Sequence, residues 1–251
     1  MRSWVPFVIA ALLVAGCTRT GGHGFLKKQY EYEEEVYLAL DGSATVNVNA
    51  SVPALVALRD AHLNVNPQSR FDRDAVRAFF AGRDATVTAL SSSRRFGRRF
   101  VHVSMNVDDV RALQRLAPFA WSTYQFARTG EAYEYRQQVG AAAGKDIGNV
   151  GWDGTELVAF RLHLPSHITG DNAPTPVQRG NILEWEQPLV DRLHGAPVDM
   201  QVQMETQTIL ANTLLLFGAT IVAALLTIAA ILWWVARKGR ESDATGQAAG
   251  S

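Results

Sequence analysis

The run Arg94-Arg95-Phe96-Gly97-Arg98-Arg99 places four guanidinium groups and one aromatic ring within six residues. Near an anionic leaflet each cation contributes on the order of 1 kcal/mol, and Phe96 between them has an apolar body to insert. The run is therefore a candidate contact for lipid or for a partner, set against a solvated hairpin tip whose charges discourage edge aggregation. Other chemistry is harder to assemble. Gly140-Ala141-Ala142-Ala143-Gly144-Lys145-Asp146 has only three residues between its glycines, and Asp where a phosphate loop needs Ser or Thr for Mg²⁺. It reads as a flexible loop. His163 and His167 are spaced like a metal pair, but one falls on an expected strand and the other beyond Pro165. No third or fourth zinc ligand suggests itself, so no metal is expected. His23, His62, His102 and His194 are scattered singly, and no serine sits in a GxSxG elbow. Asp and Glu are plentiful, yet no spacing marks a catalytic pair. No catalytic residue and no cofactor is assigned.

Cys17 is the only cysteine in the chain, so an internal disulfide is impossible. It follows a charge at Arg2, an apolar run from Trp4 to Leu13 and a short stretch of small residues, the layout of a secretory signal. The apolar run is shorter than the roughly 20 residues a bilayer crossing requires. Leu13-Val14-Ala15-Gly16-Cys17 resembles the lipobox of bacterial lipoproteins. That resemblance implies cleavage after Gly16 and diacylglyceryl transfer to the Cys17 thiol, making Cys17 the lipid attachment site.

Near the other end, Leu214 to Val235 is uncharged. Its 22 or so residues span about 33 Å at 1.5 Å each, enough for a hydrocarbon core of about 30 Å. Trp233 and Trp234 close the span, and Arg237, Lys238 and Arg240 follow. The positive-inside rule then puts the C-terminus in the cytosol and the preceding domain on the extracytoplasmic face of the bacterial cytoplasmic membrane. With 24 basic and 24 acidic residues the chain carries no net charge, so nothing in its global field suggests nucleic acid as a partner.

Between the anchors, Tyr30 to Leu40 alternates as a strand, Asp41-Gly42 signals a hairpin, and Ser43 to Ala50 alternates again. Ser51 and Pro53 suit the start of a helix running through Leu63. Asp72 or Asp74 caps a second helix bearing Val76, Phe79 and Phe80 and ending at Gly82. A strand at Ala85 to Leu90, a turn over Ser91 to Arg99 and a strand at Phe100 to Val107 follow. Asp108 caps a third helix that stops before Pro118, and strands at Ala120 to Ala127 and Ala132 to Val139 come next. The order from Ser43 to Ala127 predicts an α+β fold with a ferredoxin-like antiparallel sheet, helices on one face and extra strands. Those extra strands include Leu157 to Leu164, Asn181 to Trp185 and Val198 to Glu205, beyond a Gly-rich stretch at 140–154 read as a loop or domain joint. Glu31, Glu33, Glu34 and Glu35 read as an exposed acidic face that anionic lipid would repel.

The expected organisation is a signal at 1–16, a lipidated tether at 17–28, a domain at 29–208, a membrane helix at 209–236 and a cytosolic tail at 237–251. The lipobox, the acidic first strand, the hairpin over Asp41 to Pro53, the segment Asn181-Ile182-Leu183-Glu184-Trp185 with Pro188, Leu189 and Gly195, and the C-terminal membrane helix together resemble the LppM-like bacterial lipoproteins. The resemblance implies an envelope protein that contacts lipid or glycolipid and brings no catalytic residues. The leading expectation is a non-enzymatic binding or scaffold module working with the bilayer, a glycolipid or a membrane-protein partner. The alternative is an envelope hydrolase or transferase with dispersed carboxylates.

Overall fold

A computed structural model of the chain describes residues 28–248; Cys17, with the expected signal and most of the tether, lies outside them. Among the described residues ten strands form two sheets. The larger sheet contains β1 (Tyr30–Leu38), β2 (Ala44–Ser51), β3 (Ala85–Arg95), β4 (Arg98–Val107), β7 (Leu157–His163) and β9 (Ile182–Pro188), in the order β3-β4-β2-β1-β7-β9. All neighbours in it are antiparallel except β1 and β7. The smaller, antiparallel sheet has the order β5-β6-β10-β8, from β5 (Ser122–Thr129), β6 (Ala132–Val139), β8 (Ser166–Asp171) and β10 (Val198–Thr208).

Strand alternation fixes which face is buried. In β2, Ala44, Val46, Val48 and Ala50 are buried, and they register with Val107, Met105, Val103 and Val101 of β4. Side chains of the smaller sheet, including Tyr124, Tyr135 and Met204, join the same core. Helix α1 (Val52–Arg59) is buried along its whole length, with Ser51 Oγ capping the Ala54 N–H. It stops four residues short of Leu63, because Asp60 turns left-handed (φ 54°) and returns its N–H to Leu55 O. Helix α2 (Arg73–Phe80), capped by Asp72, buries only Val76 and Phe80.

The α+β class holds, but the ferredoxin-like arrangement needs correction. Strand β4 lies between β2 and β3, as that arrangement requires. The place on the far side of β2, expected for the strand at Ala120 to Ala127, belongs instead to β1, which reaches it through the tight hairpin at Asp41-Gly42. Strand β5 departs to pair with β6 in the second sheet. Between β4 and β5 the expected helix is two 3-10 turns, Val110–Arg115 and Ala117–Phe119, capped by Asp109 rather than Asp108. Gly82 allows a close approach here: a Cβ on it would sit 2.1 Å from Leu116 Cδ2 and would force that side chain to shift.

The stretch 140–154 has no regular structure, yet it is tied to its surroundings. Ala143 N donates to Leu58 O, Lys145 pairs with Asp60 at 2.6 Å, and Ile147 and Trp152 pack on the core. Strand β8 and the short α3 (Leu189–Leu193) are elements the sequence reading lacked. Strand β10 runs directly into α4 (Ile209–Ala248). Within α4, Leu216–Trp234 is long and apolar enough to cross a membrane.

Candidate interaction site

Strands β3 and β4 extend through the expected nine-residue turn and leave only Phe96 and Gly97 to connect them. Arg94 registers with Arg99, and Arg95 with Arg98. Both turn residues have positive φ, 51° for Phe96 and 72° for Gly97, the combination of a type I′ hairpin. Gly97 adopts it without strain. Phe96 does not, because a bulky residue in the left-handed region is held at a cost of order 1–3 kcal/mol. Its ring is half exposed at the hairpin tip.

The four arginines of the run separate into two kinds. Arg98 is buried, 4% exposed, and its Nη2 lies 2.8 Å from Glu31 Oε1 and 3.8 Å from Glu156. Its Nη1 donates to the carbonyls of Val150 and Gly151. Arg99 donates to the carbonyls of Pro67 and Ser69 and lies over the Phe71 ring. Arg98 does not fit the expected lipid contact, since all its nitrogens donate within the domain, and Arg99 is drawn away from the tip by the bonds of its Nη2. Arg94 and Arg95 are exposed, and Arg95 rests its guanidinium 4.4 Å from the Phe100 ring centroid. The candidate site is thus Phe96 flanked by Arg94 and Arg95.

The acidic run is likewise not an exposed face. Glu31 and Glu34 are buried, and alternation sends them to opposite sides of β1. Glu34 lies between the sheets, accepting from Tyr32 and Tyr124 hydroxyls and from Gln137 Nε2 at 2.8–3.0 Å. Arg59 Nη2 is 3.7 Å away. Arg192, nearby, donates to Gly140 O; burial and the Arg59 charge push its pKa down to about 10. On the outward face Glu33 and Glu35 both bind Arg161 Nη1, at 2.7 and 3.1 Å, and Glu184 of β9 accepts from Arg161 Nη2 and Nε. Burial opposes the Arg161 charge, but the hydrogen bonds and charges of Glu33 and Glu184 outweigh it and raise its pKa.

Topology places the hairpin relative to the chain's ends. It projects from the same end of the larger sheet as Tyr30, Leu157 and Pro188, where the N-terminal tether joins. The opposite end holds Leu38, Val107 and His163. Only two residues separate His163 from β8, whose Ser166 pairs with Thr208 at the root of α4. The tip and the root of α4 therefore lie toward opposite ends of the larger sheet, separated by about the ten residues of β4, roughly 33 Å of strand.

The remaining candidates do not converge. His163 stacks on Tyr37 with centroids 3.9 Å apart, and His167 stands on β8. Among the described residues no group of His, Cys, Asp and Glu could hold a metal ion. No family model matches the chain, and no curated protein matches it. Among solved structures, the NMR structure of the folded domain of LppM from Mycobacterium tuberculosis is similar over 74% of this chain and 95% of that one. The identity is 13% and the TM-score 0.34, so the resemblance drawn from the sequence has a weak structural counterpart and nothing is carried over from it.

Proposed function

We propose that the chain is a bacterial envelope lipoprotein, held to the cytoplasmic membrane by an acylated Cys17 and by a crossing through Leu216–Trp234, whose two-sheet domain is a binding or scaffold module. The domain lies on the extracytoplasmic face in this reading, with the C-terminus cytosolic. Two anchors are sterically compatible. The twelve steps from Cys17 to Gln29 reach about 40 Å when extended. That exceeds the roughly 30 Å of the nine-residue β1, so the tether can run back along the domain to the bilayer that α4 enters.

The observation that carries the binding role is Phe96, a half-exposed aromatic in a left-handed turn position where Asn or Gly fits without strain. An observed backbone outlier of this kind points toward a use for the side chain that holds it. Phe96 with Arg94 and Arg95 beside it is an apolar anchor rimmed by cations, and it suits a membrane-protein partner presenting an apolar pocket edged with carboxylates. The position of the tip, opposite the root of α4, favours that partner over the leaflet or a glycolipid.

A photocrosslinking residue at position 96 of the full-length protein, irradiated in native membranes, tests the reading. The expected product is one discrete protein adduct, lost when Arg94 and Arg95 are changed to Ser. Crosslinks to lipid alone, or no crosslink, overturn it.

A further inference from the structure

Three side chains on adjacent strands meet on the outward face of the larger sheet. Ser93 Oγ of β3 lies 2.8 Å from His102 Nε2 of β4, and His102 Nδ1 lies 2.9 Å from Asn49 Oδ1 of β2. An amide oxygen only accepts, so the Nδ1 facing it carries the hydrogen. Nε2 is then the basic nitrogen, and it accepts from the Ser93 hydroxyl. All three residues are half-buried, so each keeps some solvent access.

We propose that Ser93, His102 and Asn49 form an acyl-transfer relay that cleaves carboxylic esters. This goes beyond the docking role of the Phe96 hairpin and does not depend on it. Ser93 Oγ attacks the ester carbonyl as His102 Nε2 takes its proton, forming a tetrahedral oxyanion. The bond to the alkoxide then breaks, and the imidazolium returns the proton to the leaving oxygen. The acyl group stays on Ser93 until a water, deprotonated by His102, attacks it and releases the carboxylic acid with the Ser93 hydroxyl restored. The sum is ester plus water to acid plus alcohol.

The surroundings serve both groups. Arg95, two residues along β3 from Ser93, lies on the same face. Its guanidinium is stationed over Phe100, the residue directly across from Ser93. Its charge therefore lies on the face from which an ester would approach Ser93, where it can offset the negative charge that develops. Burial lowers the His102 pKa, the Arg95 charge lowers it further and Glu33 of β1 acts against them, so the imidazole is the neutral base near pH 7. Ser93 and His102 are the catalytic residues; Asn49 is a positioning residue that sets the tautomer.

A fluorophosphonate probe and the burst of nitrophenol from p-nitrophenyl acetate test the relay in the full-length protein in detergent. The expected result is a mass adduct on Ser93 and a burst, both abolished by Ser93→Ala, reduced about 100-fold by His102→Ala and unaffected by Ser91→Ala. Asn49→Asp adds a readout that a merely structural role would not move. A carboxylate at Nδ1 raises the His102 pKa and shifts the acid limb of the rate profile to higher pH. Absence of both the Ser93 adduct and a Ser93-dependent burst overturns the proposal, as does labelling spread over several serines. Either result leaves the crosslinking test of Phe96 unaffected.

Discussion

Arg98 carries an energetic load that its neighbours in the basic run do not. Two buried carboxylates, Glu31 and Glu156, face its one guanidinium; Gln29 Nε2 adds a donor to Glu31 Oε1 and the backbone N–H groups of Asp153 and Gly154 add theirs to Glu156, while Glu31 Oε2 has no partner among the described residues. Arg98→Ala strands those charges, and breaking a buried pair in this way costs about 3–5 kcal/mol. Arg94→Ser, at an exposed position, changes stability by no more than about 0.5 kcal/mol. Denaturant unfolding of the two variants separates the cases. The histidines set the pH dependence. The pKa values of His102 and His163 are lowered in the folded state, in each case mainly by burial. The unfolded chain therefore binds more protons in the interval below about 6.5, and stability is lost as pH falls through it. Thermal midpoints should decline from about pH 7 to pH 5, before any ordinary carboxylate protonates, and His163→Gln should flatten the slope.

The hairpin between β3 and β4 links strain to use at the scale of an element. Phe96→Asn gives the Asn-Gly pair that a type I′ turn prefers and relieves about 1 kcal/mol of backbone strain. We expect the variant to unfold later than the parent chain while no longer retaining the partner on purification from gently solubilised membranes, a trade of stability against function. The same element shows what sequence could and could not reveal. Alternation in β1, β2, β5 and β6 is readable because the apolar side chains of each strand collect on one buried face, and caps at Ser51 and Asp72 mark the helix starts. Strand β8 was not readable: its six residues, Ser166–Asp171, bury only Ser166 and carry no alternating apolar signal. The burial of the acidic run is not legible in sequence because its partners are remote, Arg98 67 residues from Glu31 and Arg161 128 from Glu33. The Ser93, His102 and Asn49 contact was equally hidden. Strand register assembles it from positions 9 and 53 residues apart, and neither interval is a motif.

At the scale of the whole molecule, the two proposed anchors and the path of β10 into α4 make separable demands. Cys17→Ser should leave the protein in the membrane fraction, because in the proposed reading Leu216–Trp234, long and apolar enough to cross, still holds it there. A chain ending at Gln207 should also stay there through the acyl chains, and only the double variant should be released by carbonate washing. The orientation of the domain then follows from strand direction. The hairpin joining β5 and β6 at Gly130 lies at the end of the smaller sheet toward which β10 descends, since Glu205 pairs with Ala132. The Phe96 tip lies beyond the opposite end of the larger sheet. Native Cys17 is blocked by acylation in this reading, so a single introduced cysteine can carry a nitroxide at either place. A label at position 130 should collide with a lipid-soluble relaxant and one at position 96 with a water-soluble one. Equal collision of both with the lipid-soluble reagent would mean that the domain lies flat on the bilayer. The arginines beside Phe96 would then face headgroups, and lipid would replace protein as the partner of the tip.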